Sequence, residues 1–513
     1  YYKPGLLAPW FSYYTNYYCL DIPQDSNNNC QVRTRMIPFE GKGTDVSADI
    51  TIPTTWALVD SPIRVNPSSA SGYLSIGDDL TIEPGVVIQV AQGKGLSFDG
   101  TCSEFTAEGT EEDPILFEGQ DEGLWKGLAF TAACGTSTDD RHTLSYVNFA
   151  NTSDAAIAAG SRHGASPSST SNVGNFTMDH VTFSNVGTAF KHGSGQGTVL
   201  TMTDFEISNA RDSCFDLAED SEVTLRDGEM AGCNTNGNTW GGAVISFPGS
   251  TSGSLVVEDV DIDNSSYNLI DTDFANVWIS NLSVTGNSGQ SGTALTADGS
   301  GVGSTLYVNN MDATMYSSVV IYSMDSFELM DVDFGNSASV TIAPGGTQST
   351  GAGPSGLNAV MEDMTSGDVT MSRVAPRMVN VTIGSLSIQG NSPSADGIIG
   401  SNWDTNGIAI NGCGYRASVD GVVTDYIAGS CSSSASPNNL KFGNVQATYT
   451  GTMNAIYARN TAITIGEGTI TMPSSYDKMS SASTNARIVL IDVDQVSSSG
   501  TTTNCVNSNV CDV

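Results

Sequence analysis

Apolar residues recur along the chain in short alternating bursts. In the stretch LTIEPGVVIQVAQGKGLSFDG, from Leu80 to Gly100, the apolar positions are Leu80, Ile82, Val86, Ile88, Val90, Leu96 and Phe98. Pro84-Gly85 and Gly93-Lys94-Gly95 punctuate them. Alternation interrupted by turn residues predicts short strands, and no sustained three-to-four periodicity predicts helix.

The bursts are related to one another. Eight-residue segments recur: LSYVNFAN ending at Asn151, MDHVTFSN at Asn185, MTDFEISN at Asn209, LRDGEMAG at Gly232 and VEDVDIDN at Asn264. ISNLSVTG at Gly286, VNNMDATM at Met315, LMDVDFGN at Asn336, MEDMTSGD at Asp368 and IGSLSIQG at Gly390 continue the series. Their ends are separated by 34, 24, 23, 32, 22, 29, 21, 32 and 22 residues. The base period is therefore about 22–24, and the rungs with about ten extra residues predict loops bulging from one corner.

Within a segment, positions 1, 4 and 6 are mostly apolar, position 3 is usually Asp or Asn, and position 8 is usually Asn or Gly. Positions 4 and 6 point the same way from a strand, whereas the step from 1 to 4 breaks the alternation. A bend must lie between them, and Asp, Asn and Gly tolerate the left-handed backbone that a bend needs. Such a period is too short for a propeller blade of about 40–45 residues. It predicts one coil of an all-β parallel solenoid, with equivalent residues stacked at about 4.8 Å. Roughly 18 coils would make a rod on the order of 75–85 Å long. A ladder of stacked asparagines is expected at Asn151, Asn185 and Asn209. A string of sandwich domains is the alternative, but it would need longer strands and no ladder.

Charge narrows the setting. The 513-residue chain carries 55 acidic against 19 basic side chains, a net charge of −36. That excludes nucleic acid and anionic membranes as natural partners and suits a self-repelling protein in a cation-rich, extracellular medium. No apolar run approaches the ~18 residues of a membrane span. A first residue of Tyr1 rather than Met is the expected mark of a processed product.

The ten cysteines fall into five neighbours along the chain with no CxxC. They predict Cys19–Cys30, Cys102–Cys134, Cys214–Cys233, Cys413–Cys431 and Cys505–Cys511 as local disulfides, hence an oxidising compartment and a secreted or surface location. Separations of 19 and 18 residues suit cysteines on adjacent coils in the third and fourth pairs. Asn151, Asn175, Asn264, Asn281 and Asn380 each begin an N-x-Ser/Thr sequon and are the candidate glycosylation sites.

The stretch ILFEG and its surroundings carry a resemblance. FTAEGTEEDPILFEG (residues 105–119) and GLWKGLAF (123–130) follow the opening strand stretch. Ile82, Pro84, Gly85 and Val86, then Ala107, Gly109, Thr110, Pro114, Ile115 and Phe117, then Trp125, Gly127 and Leu128 form the series. It resembles the first coils of right-handed parallel β-helix proteins of prokaryotic cell surfaces, over roughly residues 78–131. That resemblance implies a right-handed coil and a pectate-lyase-like fold, a group holding both enzymes and non-catalytic surface proteins. Lyases of that fold imply calcium-binding acids with an Arg or Lys base, and hydrolases imply clustered Asp with His. SRHGAS (161–166), FKHGSG (190–195) and RDSCFDL (211–217) are only distantly similar to hydrolase elements. Ser213 stands where an acid is implied, and DTD at Asp271–Asp273 lacks the implied Asn. The candidate bases Arg211 and Arg226 stand isolated in the sequence.

The acidic columns are the stronger chemical signal. Position 3 supplies Asp204, Asp227, Asp259, Asp331 and Asp363; position 5 supplies Glu206, Glu229, Asp261, Asp312 and Asp333. Carboxylates stacked at strand spacing repel, so water, salt or a bound cation must relieve them. An oxygen-only set with no His or Cys would choose Ca²⁺. The expected metal residues are Asp204, Glu206, Asp227, Glu229, Asp259, Asp261, Asp331 and Asp333, against the simpler reading of a hydrated acidic face. No Walker, dinucleotide, HExxH or GxSxG motif occurs, so no cofactor is expected.

The ends differ from the middle. Residues 1–48 open with YYKPGLLAPWFSYYTNYYCL, an aromatic stretch without the repeat, expected to form a disulfide-tied cap or arm on a β-helix of residues 49–513. Tyr1, Tyr2, Trp10, Phe11, Tyr13 and Tyr14 are the candidate subunit contacts, since open coil ends invite self-association. The sequence thus predicts a non-catalytic structural or adhesive rod of a surface layer, appendage or filament. The alternatives are a polysaccharide lyase or hydrolase and a glycan-binding, tailspike-like module.

Overall fold

The computed structural model describes residues 43–101, 103–131, 140–160, 173–192, 198–217, 221–234, 243–247, 253–263, 268–273, 276–285, 292–299, 303–343, 355–390, 397–433, 436–449, 456–472, 479–481, 486–497 and 502–505. Residues 1–42 of the expected cap, its contact residues and Cys19–Cys30 lie outside these residues. So do Cys102, Cys134, Cys511, His163 and Asn264. Within 43–48, expected to belong to the cap, Thr44–Val46 already pairs with Ile63–Val65 of the β-helix.

Strands and two short 3₁₀ turns make up the regular structure, and among the described residues there is no α-helix. Strands pair in parallel with the equivalent strand of the next coil, mostly two or three places on in the chain and, where one strand spans most of a coil, the next one, which is a β-helix. One uninterrupted ladder runs from Thr44–Val46 through Ile63–Val65, Val87–Val90 and Ile115–Gly119 into Asp140–Ala150. It continues coil by coil to Gly468–Met472 and Val493–Ser497, nineteen rungs in all. At strand spacing that is a rod of about 85 Å. The last rung is met by the antiparallel strand Thr502–Cys505, which occupies its edge.

Each coil has three sides. From Asp140–Ala150 to Asn438–Thr448 two of them belong to one long strand that bends in its middle. In Val199–Ser208 the bend is Asp204, with φ of 49°. Met202, Phe205 and Ile207 are buried on either side of it, as positions 1, 4 and 6 require. A short strand forms the third side: Thr188–His192 pairs with Phe215–Asp216, which pairs with Ala243–Phe247. Apolar columns fill the interior. Phe117, Phe149 and Phe183 stack at 5.1 and 5.3 Å with nearly parallel rings. Where Phe205 needs room, the next coil supplies Gly228, whose absent Cβ would collide with that ring.

The residues of the resemblance build coils. Trp125 is fully buried and donates from Nε1 to the Ala150 carbonyl at 2.8 Å. A side chain at Gly127, where φ is 88°, would run into the Ala155 carbonyl of the next coil.

The expectation of loops at a single corner is corrected. The longest connections fall at both corners that flank the short strand: after it, between Ala159 and Asn175 and between Ala343 and Ser355, and before it, between Ala231 and Ala243. The corner inside the long strand takes no insertion, because a single residue makes the turn and the ladder hydrogen bonds resume immediately on either side.

Two of the predicted disulfides lie within the described residues. Cys214–Cys233 and Cys413–Cys431 join adjacent coils with Cα separations of 5.4 and 4.8 Å. They point to an oxidising environment. No helix among the described residues is long and apolar enough to cross a membrane.

Candidate functional site: the outward corner and its flanking columns

The inner bend generates the most ordered polar feature of the surface. Register places Tyr146, His180, Asp204, Asp227, Asp259, Asn281, Asn310, Asp331, Asp363, Asn380, Asn402, Gly421 and Asn444 one above another. All have positive φ, between 45° and 69°. Left-handed backbone costs most L-residues ~1–2 kcal/mol, and Asp and Asn least after Gly. Backbone geometry thus explains a short polar residue at position 3, but not which one.

Asparagines there form true ladders. Asn281 donates to Asp259 Oδ1 at 2.8 Å, and Asn310 to Asn281 Oδ1 at 2.8 Å. Asn380 donates to Asp363 at 3.0 Å, and Asn402 to Asn380 at 2.7 Å. The expected ladder at Asn151, Asn185 and Asn209 is shorter than predicted: Asn185 donates to Asn151 at 2.6 Å, and Arg211 rather than Asn209 then reaches Asn185 Oδ1 at 3.4 Å.

Of the eight expected metal residues, the structure gathers six. Asp204, Asp227 and Asp259 are consecutive in the corner column, and Glu206, Glu229 and Asp261 are consecutive in the column two residues on. All six are exposed and border an open groove of about 600 Å³. Asp331 and Asp333 share those columns but lie beyond the coils of Asn281 and Asn310. At the N-terminal end of the groove, Tyr146 stacks on His180 at 4.4 Å. His180 Nδ1 donates to Asp179 Oδ2 at 2.9 Å and lies 4.0 Å from Asp204 Oδ2. Asp179 and His180 complete a three-ligand group with Asp204 that the sequence reading missed. The six carboxylates and Asp179 are the set able to hold a hard cation through oxygen.

Of the distantly hydrolase-like strings, SRHGAS and the end of FKHGSG lie outside the described residues. His192 is buried between Thr198 Oγ1 at 2.8 Å and Ser221 Oγ at 3.0 Å. Outside those strings, His142 Nε2 donates to the Val173 carbonyl at 2.9 Å. In RDSCFDL, Arg211 donates to the Thr152 carbonyl, Cys214 is in a disulfide, and Asp216 pairs with Lys191 at 2.9 Å. Neither candidate base is isolated in the fold: Arg226 Nε pairs with Glu258 at 2.9 Å. Asp271 lies on the short-strand side, where burial, and then Asp273, push its pKa above the usual carboxylate value.

The sequon asparagines are placed unequally. Asn175 is buried, and the amide nitrogens of Asn281 and Asn380 are the donors of the corner ladder. Asn151 accepts from Asn185 and is half-exposed.

A second groove, of about 760 Å³, lies on the side before the bend. Trp278 stacks on Tyr307 there, with centroids 3.9 Å apart and planes 21° from parallel. Both residues immediately precede a repeat segment, ISNLSVTG and VNNMDATM, so extending the segment alignment by one position exposes the pair. Compared with protein-family models, curated proteins and solved structures, the chain matches none.

Proposed function

We propose that the protein is a non-catalytic extracellular rod of the surface β-helix type, serving a structural or adhesive role in a surface layer, appendage or filament. The observation that carries this reading is the uninterrupted nineteen-rung parallel ladder. Bending such a rod breaks many backbone hydrogen bonds at once, so the chain is suited to span and stiffen. Its acidic columns keep rods apart in solution and suit them to bridging by Ca²⁺, the ion that the oxygen-only carboxylates fit. The net charge of −36 and the two disulfides support an extracellular setting.

Electron microscopy of the full chain with and without millimolar CaCl₂ tests this. Ordered head-to-tail or lateral assemblies are the expected result, and isolated particles under both conditions would overturn the assembly role. Release of unsaturated sugars from polyuronate would replace the reading by that of a lyase acting in the acidic groove.

A further inference from the structure

The side before the bend is polar over most of its length. Its middle outward column reads Thr177, Thr201, Thr224, Val256, Trp278, Tyr307, Glu328, Val360, Arg377 and Ile399 in register. Two large aromatics stand next to each other in it, and Trp278 is 47% exposed. They belong to adjacent coils and stack nearly parallel, so their ring normals lie along the rod axis. Glu328 follows Tyr307 on the far side of the pile. On the near side comes Val256, whose short side chain leaves the Trp278 face uncovered. The pile therefore ends in an open aromatic face with a slot one coil deep beside it.

The walls of that slot are polar. Ser254 stands on one flank of Val256, and the Arg226–Glu258 ion pair stands on the other. Asn276 borders the groove, and Thr305 donates to its Oδ1 at 2.8 Å, so what Asn276 offers a ligand is its Nδ2 donor.

We infer that this groove binds a neutral oligosaccharide, with one pyranose ring in the slot over Val256 against the face of Trp278. Aromatic faces are electron-rich and attract the weakly positive C–H groups of a sugar's apolar face. Hydroxyls around the same ring accept hydrogen bonds from the flanking serine, amide and guanidinium, and donate to the Glu258 carboxylate. Charge selects among sugars: a polyuronate would approach a chain of net charge −36, with Glu258 and Glu328 at the groove itself. A second copy of the chain would meet the same repulsion. The aromatic patch is also too small for a protein: two rings present at most about 300–500 Å², against the ~1,000 Å² that a specific interface buries. The next exposed large apolar residue of the column, Ile399, lies beyond Glu328 and Arg377.

This inference is independent of the rod's assembly, which can hold or fail without it. Its test titrates the full chain with hexamers of β-1,4-linked glucose, N-acetylglucosamine and mannose, with a galacturonate hexamer as the charged control. Heat and tryptophan emission report binding. At least one neutral hexamer binds, and Trp278→Ala and Val256→Trp, which respectively remove the platform and fill the slot, each weaken it about tenfold or more. Both residues are on the surface side of the coil, so thermal melting of either variant stays close to that of the parent protein. No binding by any neutral hexamer at millimolar concentration, binding that neither substitution weakens, or equal binding of the galacturonate hexamer overturns the proposal.

Discussion

Two runs of one corner column share a backbone and differ in chemistry. Asp204, Asp227 and Asp259 occupy three successive bends, and Asn281 and Asn310 occupy the next two, all with φ between 49° and 55°. In the amide run each side chain donates to the coil before, and Asn281 also accepts from Asn310 in the coil after, so neighbouring members satisfy one another. In the carboxylate run there are only acceptors, and their charges repel at coil spacing. The first amide, Asn281, caps the acidic run by donating to Asp259. The fold therefore asks the corner for a short polar residue that accepts positive φ. The choice of acid over amide weakens the pile locally, since carboxylates cannot donate to one another.

The comparison can be broken first at its brace. Cys214–Cys233 ties the coil of Asp204 to the coil of Asp227. Replacing both cysteines by Ser should cost about 2–4 kcal/mol. Thermal melting should show it, with a larger deficit at low salt than at high salt if the disulfide holds a repelling pair of coils together.

The next experiment separates backbone from side chain. A β-branched residue at the bend strains the left-handed backbone by about 1–3 kcal/mol in either run. Asn281→Val also loses two hydrogen bonds, whereas Asp227→Val also removes a charge from a repelling pile. Urea denaturation should therefore find Asn281→Val the more destabilising by about 1–2 kcal/mol. Equal losses would mean that the side-chain ladder contributes nothing.

The smallest effect sharpens the comparison most. Asp227→Asn converts the middle of the acidic run to the amide chemistry of its neighbour. It should stabilise the protein by about 0.5–1 kcal/mol at low ionic strength. That gain should fade at molar NaCl, where screening already relieves the pile. A loss of stability instead would show that the three carboxylates favour one another, as they would around a bound cation.

The sequence by itself determined the coil. Alternation at positions 4 and 6, the break before position 4 and Asp or Asn at position 3 are local properties, because each reports one residue's side-chain direction or φ. The spacing of Cys214 and Cys233 likewise follows from the repeat alone. Tertiary structure decided which coils are neighbours in detail, and hence what stacks on what. It showed insertions at two corners rather than one, Arg211 in place of Asn209 beside Asn185, Arg226 paired with Glu258, and Trp278 lying on Tyr307 across 29 residues of chain. Those contacts depend on how many residues each corner absorbs before the strands come back into register. Loop length is free to vary while the ladder is not, so the coil can be read one residue at a time, but its surface pairings only once every turn has been closed.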